Sequence, residues 1–254
     1  CIRDRSDTGV GDADFLANLK ALDDFTSGAI TASSATTFSG TASDASSVYS
    51  SSGITGLGGA NETVTITSAT SSAADLNTIN SNLNDSGTIN VSSVTALTGS
   101  FSDLSTFYDN RTNFTTPTNI TSATLSSGAI SDAGALQTLS NNLQTNVNSN
   151  FAIDLTNTTQ ITGAYSEVYS IVTGLSTSPA DFSNLSGTAL VATDNLTTTE
   201  ANNLSAATTA AVTATLTTNS LANFNSGLSS DSNPSGGNAY TCLLYTSPSP
   251  RDNR

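Results

Sequence analysis

A motif typical of helix starts recurs along this chain about every 30 residues. In it, a Ser or Thr is followed three residues later by an acid, as in Thr41–Asp44, Ser72–Asp75, Ser100–Asp103 and Thr197–Glu200. The hydroxyl accepts a backbone hydrogen bond at the N-cap, and the acid bonds back to the cap residue. Apolar residues at i, i+3 and i+7 follow, which marks one buried face. The motif predicts a series of short helices of two to four turns.

Three further copies are incomplete. Ala164–Glu167 lacks the first hydroxyl, and Ser131-Asp132 begins another helix. Ser178–Asp181 is interpreted as a degenerate half-copy with Pro at the first helical position. The acids at 44, 75, 103, 132, 167 and 200 are therefore predicted to serve helix starts. A separate N-terminal helix is predicted from Asp14 to Phe25.

Runs that alternate apolar and polar residues lie between these helices and predict half-buried strands. They are Val64–Thr67, Ile89–Val91, Ile153–Leu155 and Val212–Leu216, and Ile30, Ile120 and Leu190 head equivalent runs. A strand, a crossover helix and the next strand give parallel neighbours. A single unit of this size cannot bury its own apolar stripe, so neighbouring units must stack. The predicted fold is α/β: an elongated right-handed α/β solenoid of about 30-residue strand-turn-helix repeats with a parallel sheet.

Both ends of the chain resemble translated sequencing-adapter DNA. The run from Cys242 to Asp252 is similar to the in-frame translation of a transposon adapter, and Cys1 to Asp4 is similar to the same adapter in the other direction. The part between is expected to be a fragment of a longer reading frame. The predicted organisation is 1–5 adapter-derived, 6–28 an N-terminal helical segment, 29–224 the repeat solenoid, 225–241 a Gly/Ser/Asn-rich linker, and 242–254 adapter-derived.

The charge of the chain argues against two classes of partner. The formal net charge is −14 at pH 7, and of six basic residues only Lys20 and Arg111 lie outside the adapter-like ends. Phosphate backbones and anionic membrane surfaces repel such a chain. No apolar run approaches the length needed to span a bilayer. We therefore expect no nucleic-acid binding and no membrane insertion.

The residue types needed for common catalytic designs are also scarce. The chain has no His, and both cysteines, Cys1 and Cys242, fall in the adapter-like ends. Triads with a histidine base and zinc sites are thereby excluded from the natural part. Of the glutamates Glu62, Glu167 and Glu200, two occupy predicted helix starts, so a carboxylate pair for glycoside hydrolysis is not expected. The sequence predicts a protein that is not an enzyme.

Calcium is the remaining candidate cofactor. It takes six to eight oxygen ligands. Asp7, Asp12 and Asp14, spaced by glycines, could form a small oxygen cage, and Gly58–Glu62 is a second, weaker candidate. A solvated turn is the alternative at both places. Tyrosines 49, 108, 165 and 169 follow the helical phase and are interpreted as packing or rim residues, with a carbohydrate platform as the alternative.

Three segments resemble parts of very large repeat proteins encoded by aquatic bacteria: Ser52–Gly58, Ala74–Ile79 and Val91–Gly99. The resemblance implies a cell-surface or secreted location and a bulk structural role, and it implies no site residues. We therefore predict a non-catalytic structural repeat segment, a spacer or coat, whose partners are neighbouring repeats of the same parent chain. The alternative is a calcium-dependent adhesin or glycan-binding module with a glycan or cell-surface ligand.

Overall fold

The computed structural model describes residues 15–58, 62–83, 87–218 and 237–244 of the 254-residue chain. Within these ranges the chain forms seven α-helices and sixteen β-strands, and the strands fall into four parallel sheets. The α/β class predicted from the sequence is confirmed. The chain divides into two compact units, a first unit of residues 1–124 and 142–152 and a second unit of residues 125–141 and 153–254.

The helices are short, as predicted, with 8 to 14 residues each. The N-terminal helix lies where the sequence placed it, and most of the others begin directly after a Ser, Thr or Asp residue. Their bounds are α1 Phe15–Phe25, α2 Ala42–Ser50, α3 Ala73–Asn82, α4 Phe101–Asp109, α5 Ala133–Asn146, α6 Tyr165–Gly174 and α7 Thr198–Ser205.

The strands have two to eight residues. All four alternating runs of the sequence contribute to strands. The bounds are β1 Ile30–Thr31, β2 Thr37–Gly40, β3 Ile54–Thr55, β4 Thr63–Ile66, β5 Thr70–Ser72, β6 Thr88–Asn90, β7 Ala96–Gly99, β8 Phe114–Thr115, β9 Ser122–Leu125, β10 Gly128–Ile130, β11 Ala152–Asp154, β12 Thr158–Gly163, β13 Phe182–Ser183, β14 Ala189–Leu196, β15 Val212–Thr218 and β16 Ala239–Leu244.

The first unit contains a regular parallel sheet with the strand order β2-β4-β6-β8. Thr37 pairs with Thr63, Thr63 pairs with Thr88, and Ile89 pairs with Phe114, so that equivalent residues follow at a nearly constant offset. This offset is shorter than the predicted repeat of about 30 residues. The step from Asp44 to Asp75 is longer than this offset, because β5 is inserted between β4 and α3 and has no counterpart between β2 and α2. The step from Asp75 to Asp103 is closer to the offset, since β7, the partner of β5, lies before α4.

The second unit contains a less regular sheet with the order β10-β12-β14-β15-β16. Its offset is uneven, since the step along the chain from Gln160 to its partner Ala189 is longer than the step from Leu190 to its partner Val212. The register also shifts within two of the strand pairs, β10 with β12 and β14 with β15. The three incomplete copies of the sequence motif, which begin at Ser131, Ala164 and Ser178, lie in the same unit, so irregular copies in the sequence accompany uneven pairing of the strands.

Buried threonines connect successive strands of the second unit. The Thr208 hydroxyl donates to the carbonyl of Thr188 at 2.7 Å, and the Thr188 hydroxyl donates to the carbonyl of Thr158 at 3.0 Å. The hydroxyl of Thr158, which is 3% exposed, has no hydrogen-bond partner among the described residues. The series of bonds therefore ends at Thr158.

The core of the first unit lies between the inward face of its strands and the helices. Along β4, Val64 and Ile66 are buried while Thr63 and Thr65 are half-buried, which is the alternation of a strand with one face inward. Leu76 and Ile79 supply the buried face of α3. The ring of Phe38 on β2 is fully buried, with the rings of Phe15 and Tyr49 at 5.7 and 5.9 Å. The packing of helix on sheet thus buries the apolar stripes that the sequence predicted.

One predicted helix start is wrong. Ser178–Asp181 leads into strand β13 and begins no helix. The backbone N–H of Asp181 donates to the Gly174 carbonyl at 2.9 Å and to the Thr177 hydroxyl at 3.2 Å. These bonds return the chain from the end of α6 to the sheet, so the segment serves as a connection. Ile120, predicted to head a strand, instead follows a short 3₁₀ turn, and β9 begins at Ser122.

The predicted linker and the adapter-like ends are only partly described. Residues 1–5, 225–236 and 245–254 lie outside the described residues. Ala239–Thr241, predicted as the end of the linker, belong to β16, and β16 continues through residues 242–244 of the adapter-like segment. Strand β16 pairs with β15 over its whole length. The end of the predicted linker is therefore strand.

Candidate functional site

The predicted calcium ligands Asp7, Asp12 and Asp14 lie outside the described residues. Of the second candidate, Gly58–Glu62, only Gly58 and Glu62 are described. Among the residues that the structure describes, no group of three or more His, Cys, Asp or Glu side chains could hold a metal ion.

Asp103 forms a complete capping box with Ser100 at the start of α4. Its backbone N–H donates to the Ser100 hydroxyl oxygen at 3.1 Å. Its carboxylate accepts from the Ser100 backbone N–H at 2.9 Å and from the Ser100 hydroxyl at 2.6 Å. Thr197 and Glu200 make the same arrangement at the start of α7. Both carboxylates therefore satisfy backbone groups that a helix start leaves unpaired.

The other predicted acids also lie at helix starts, in three different ways. The backbone N–H groups of Asp44 and Asp75 donate to the capping hydroxyls at the starts of α2 and α3. Glu167 accepts from the backbone N–H of its cap residue, an alanine, at 2.9 Å, so only the acid half of the box is present. Asp132 accepts from the Ala135 N–H at 2.8 Å and is thus the N-cap itself. All six acids lie at helix starts, as predicted. The predicted bond from the carboxylate to the backbone N–H of the cap residue is present for Asp103, Glu167 and Glu200. For Asp44 and Asp75 only the hydroxyl half of the box is present.

Glu62 is a buried acid whose contacts the sequence did not predict. It is 3% exposed, and its carboxylate accepts from the Tyr49 hydroxyl at 2.6 Å and from the Gly58 N–H at 3.1 Å. Burial, and then the hydrogen bond to Glu62, raise the pKa of Tyr49 well above its ordinary value of 10.0. The phenol therefore remains a donor at every physiological pH. Tyr49 lies on α2 and Glu62 directly precedes β4, and no local motif marks the pair.

The remaining predicted tyrosines are half-buried and make contacts within the protein. The rings of Tyr165 and Tyr169 on α6 stack at 5.2 Å, and the Tyr165 hydroxyl accepts from Asn203 at 3.2 Å. The guanidinium of Arg111 lies 4.3 Å from the ring centre of Tyr108. These contacts support the interpretation of the tyrosines as packing and rim residues.

Asp154 at the end of β11 has a perturbed acidity. Partial burial raises the pKa of its carboxyl, but hydrogen bonds from Thr156 and Asn184 outweigh that effect, so the pKa lies below the ordinary value of 3.8. The carboxylate accepts from the Thr156 hydroxyl at 2.6 Å and from the Asn184 amide at 3.0 Å. Asn184 follows β13, the parallel partner of β11, so Asp154 connects two neighbouring strands.

The outward side of the β2-β4-β6-β8 sheet carries a surface that we call the polar face. It comprises Thr37, Ser39, Thr63, Thr65, Thr88, Asn90 and Thr115. Each of these residues is half-buried or exposed and adjoins a buried apolar residue of the same strand. Because partners in a parallel ladder point to the same side, the register arranges them in two rows across the strands.

Two contacts fix positions on the polar face. The hydroxyl oxygens of Thr63 and Thr88 are 3.2 Å apart, within hydrogen-bond distance. The Asn90 side-chain oxygen accepts from the Ser92 N–H at 3.0 Å. None of the seven residues is charged. A signal for this surface exists in the sequence, since the similar triplets Thr-Phe-Ser, Thr-Val-Thr and Thr-Ile-Asn begin at Thr37, Thr63 and Thr88.

Comparisons with known protein families, with curated proteins and with solved structures found no match for this chain. In the described part of the chain, every helix is too short or too polar to cross a membrane.

Proposed function

We propose that this chain is a non-catalytic structural segment, a spacer or coat, of a larger protein at the cell surface or outside the cell. In this proposal the strand-helix coils stack as a right-handed α/β solenoid. The polar surface and low density of charge suit a soluble scaffold, and neighbouring repeats of the parent chain are its partners.

One observation carries the proposal: the acids recur at helix starts, and the strands of the first unit pair at a nearly constant offset. Asp103 and Glu200 bond to backbone groups of their own helices. Carboxylates used in this way are not available as a catalytic pair. Nearly equal steps from Thr37 to Thr63 and from Thr63 to Thr88 are what stacking of equivalent coils requires.

Duplication of one coil tests the stacking. Residues 63–87 contain β4, β5 and α3 and correspond to one offset of the sheet. A second copy inserted after residue 87 should be accommodated, because each coil contacts only its neighbours. We expect more helical and strand signal in circular dichroism and a melting temperature at least as high as that of the original chain.

The matched control inserts the residues of the same segment in shuffled order. It should lower the melting temperature, since its apolar residues no longer meet the core. Equal destabilisation by the ordered and the shuffled insertions would contradict stacked coils.

A calcium titration separates the spacer from a calcium-dependent adhesin. Extracellular calcium modules bind at about 10⁻⁴ to 10⁻³ M. Calcium at about 10 mM, which is 100 times the lower of these constants, would stabilise the fold by about 2.7 kcal/mol. An unchanged melting temperature in millimolar calcium supports the spacer. A large increase that is abolished by Asn at positions 7, 12 and 14 would favour the adhesin.

A further inference from the structure

The polar face is periodic in two dimensions. Along each strand, outward residues such as Thr63 and Thr65 are two positions apart, a separation of about 6.7 Å. Across the strands, register partners such as Ser39, Thr65 and Asn90 follow one another at about 4.8 Å. No register shift occurs within these two strand pairs. The face therefore presents a small lattice of hydrogen-bonding groups.

The side chains of this lattice have little freedom. The residues that alternate with the outward ones are at most 1% exposed, namely Phe38, Val64 and Ile89. Their burial fixes the orientation of each strand on the core. Threonine is β-branched, so its side chain has few accessible χ1 rotamers. Thr63 and Thr88 also contact each other through their hydroxyls. The hydroxyl positions are thus fixed before any ligand arrives, which lowers the entropy cost of binding.

The chemistry of the face is uniform and neutral. Five of the seven residues are threonines, which offer one methyl and one hydroxyl each. A single small molecule can contact only a few of these residues. A solid whose own hydrogen-bonding groups repeat with comparable spacings can contact many of them at once. The oxygen atoms at the surface of crystalline water repeat in this way and are uncharged. We infer that the polar face binds ice.

A polysaccharide surface is the competing ligand, and the face suits it less well. Sugar rings present apolar faces that pack on exposed aromatic rings. The only aromatic residues on the described strands of this sheet, Phe38 and Phe114, point inward and are 0% and 4% exposed. An ice surface needs only hydroxyls and methyls at regular spacing, which the threonines provide. The inference is independent of the proposed spacer function, because it depends on the register of one sheet.

Ice-affinity partitioning of the full chain tests the inference. Ice is grown slowly from a dilute solution, and the protein content of the ice and of the remaining liquid is measured. We expect the chain to enter the ice. Thr65→Lys places a long charged side chain in the middle of the polar face and should abolish this incorporation. Thr88→Lys, at an exposed position of the same face, provides a second variant if the first does not fold.

The matched control is Thr98→Lys. Thr98 is exposed on β7, which belongs to a different sheet, so the same change in charge and size leaves the polar face intact. Circular dichroism and melting temperature establish that each variant is folded. Exclusion of the original chain from ice would overturn the inference. So would equal incorporation of the folded Thr65, Thr88 and Thr98 variants, or retention on crystalline cellulose or chitin without entry into ice.

Discussion

Replacing Asp103 by Ala should destabilise the protein, whereas replacing Asp109 by Ala should stabilise it. Both residues belong to α4, and each substitution removes one carboxylate from the same helix. Asp103 lies in the first turn, where the helix dipole and the unpaired N–H groups favour a negative charge. Asp109 is exposed at the last position, where the dipole disfavours it. The pair therefore separates the role of position from the effect of charge.

The magnitudes follow from the contacts. The Asp103 carboxylate accepts from the Ser100 N–H at 2.9 Å and from the Ser100 hydroxyl at 2.6 Å. Loss of such capping costs about 1 kcal/mol, and loss of the favourable charge costs about 0.5 kcal/mol more. The greater helix propensity of Ala offsets about 0.5 kcal/mol. We expect a net loss of about 1 kcal/mol for Asp103→Ala. At Asp109 the dipole and the propensity act in the same direction, so we expect a gain of about 1 kcal/mol.

Urea unfolding followed by circular dichroism measures both values, because the free energy of unfolding is linear in denaturant. Thermal melting gives an independent measurement, because a change of 1 kcal/mol in the free energy of unfolding shifts the melting temperature of a chain of this size by about 2–4 °C. An Asp103→Ala variant whose free energy of unfolding equals or exceeds that of the original chain would refute the reasoning. It would mean that the Asp103 carboxylate does not stabilise the start of α4.

Three further predictions concern buried or paired polar groups. Tyr49→Phe should cost about 2 kcal/mol in urea unfolding, because it leaves the buried Glu62 carboxylate without one donor; it should also remove a loss of stability that begins above about pH 10, where only the unfolded tyrosine would ionise. Thr188→Val should cost about 1 kcal/mol in the same assay, whereas Thr158→Val, which removes an unpaired hydroxyl, should be neutral or stabilising; equal losses would contradict the bond geometry. The stabilisation from Asp154 should be present above about pH 4 and be lost as the pH falls through its lowered pKa. Asp154→Asn should therefore reduce the decrease in melting temperature that the original chain shows below about pH 4. An equal decrease in both proteins would contradict the lowered pKa.

The helix starts could be predicted from the sequence because their physics is local. A capping box needs only a hydroxyl and an acid three residues apart, as at Ser100 and Asp103, whatever packs around them. The same three-residue pattern at Ser178–Asp181 failed. There the chain must return from the end of α6 to the sheet, and the Asp181 N–H is taken by the Gly174 carbonyl. Tertiary requirements outweighed a weak local preference.

The contacts between distant residues could not be predicted in the same way. The bond between Tyr49 and Glu62 joins residues on either side of the segment from α2 to β4, which contains β3, and no local motif relates the two positions. The rows of the polar face were not predicted, although similar triplets mark them in the sequence, and the reason is a different one. The helix-start acids Asp44, Asp75 and Asp103 set the predicted period, and they follow one another at longer and less equal steps than the strand partners do.

The two spacings differ because helices and strands tolerate variation differently. A helix can begin one or two residues earlier or later and still bury its stripe, since its ends leave only a few groups to be satisfied by caps or water. A one-residue slip of a strand would turn every side chain to the other face and expose Phe38, Val64 and Ile89. Insertions such as β5 are therefore accommodated between strand and helix, and the strand register is kept. For the same reason, the strands of the first unit, more than its helices, can carry a surface whose groups repeat at fixed distances.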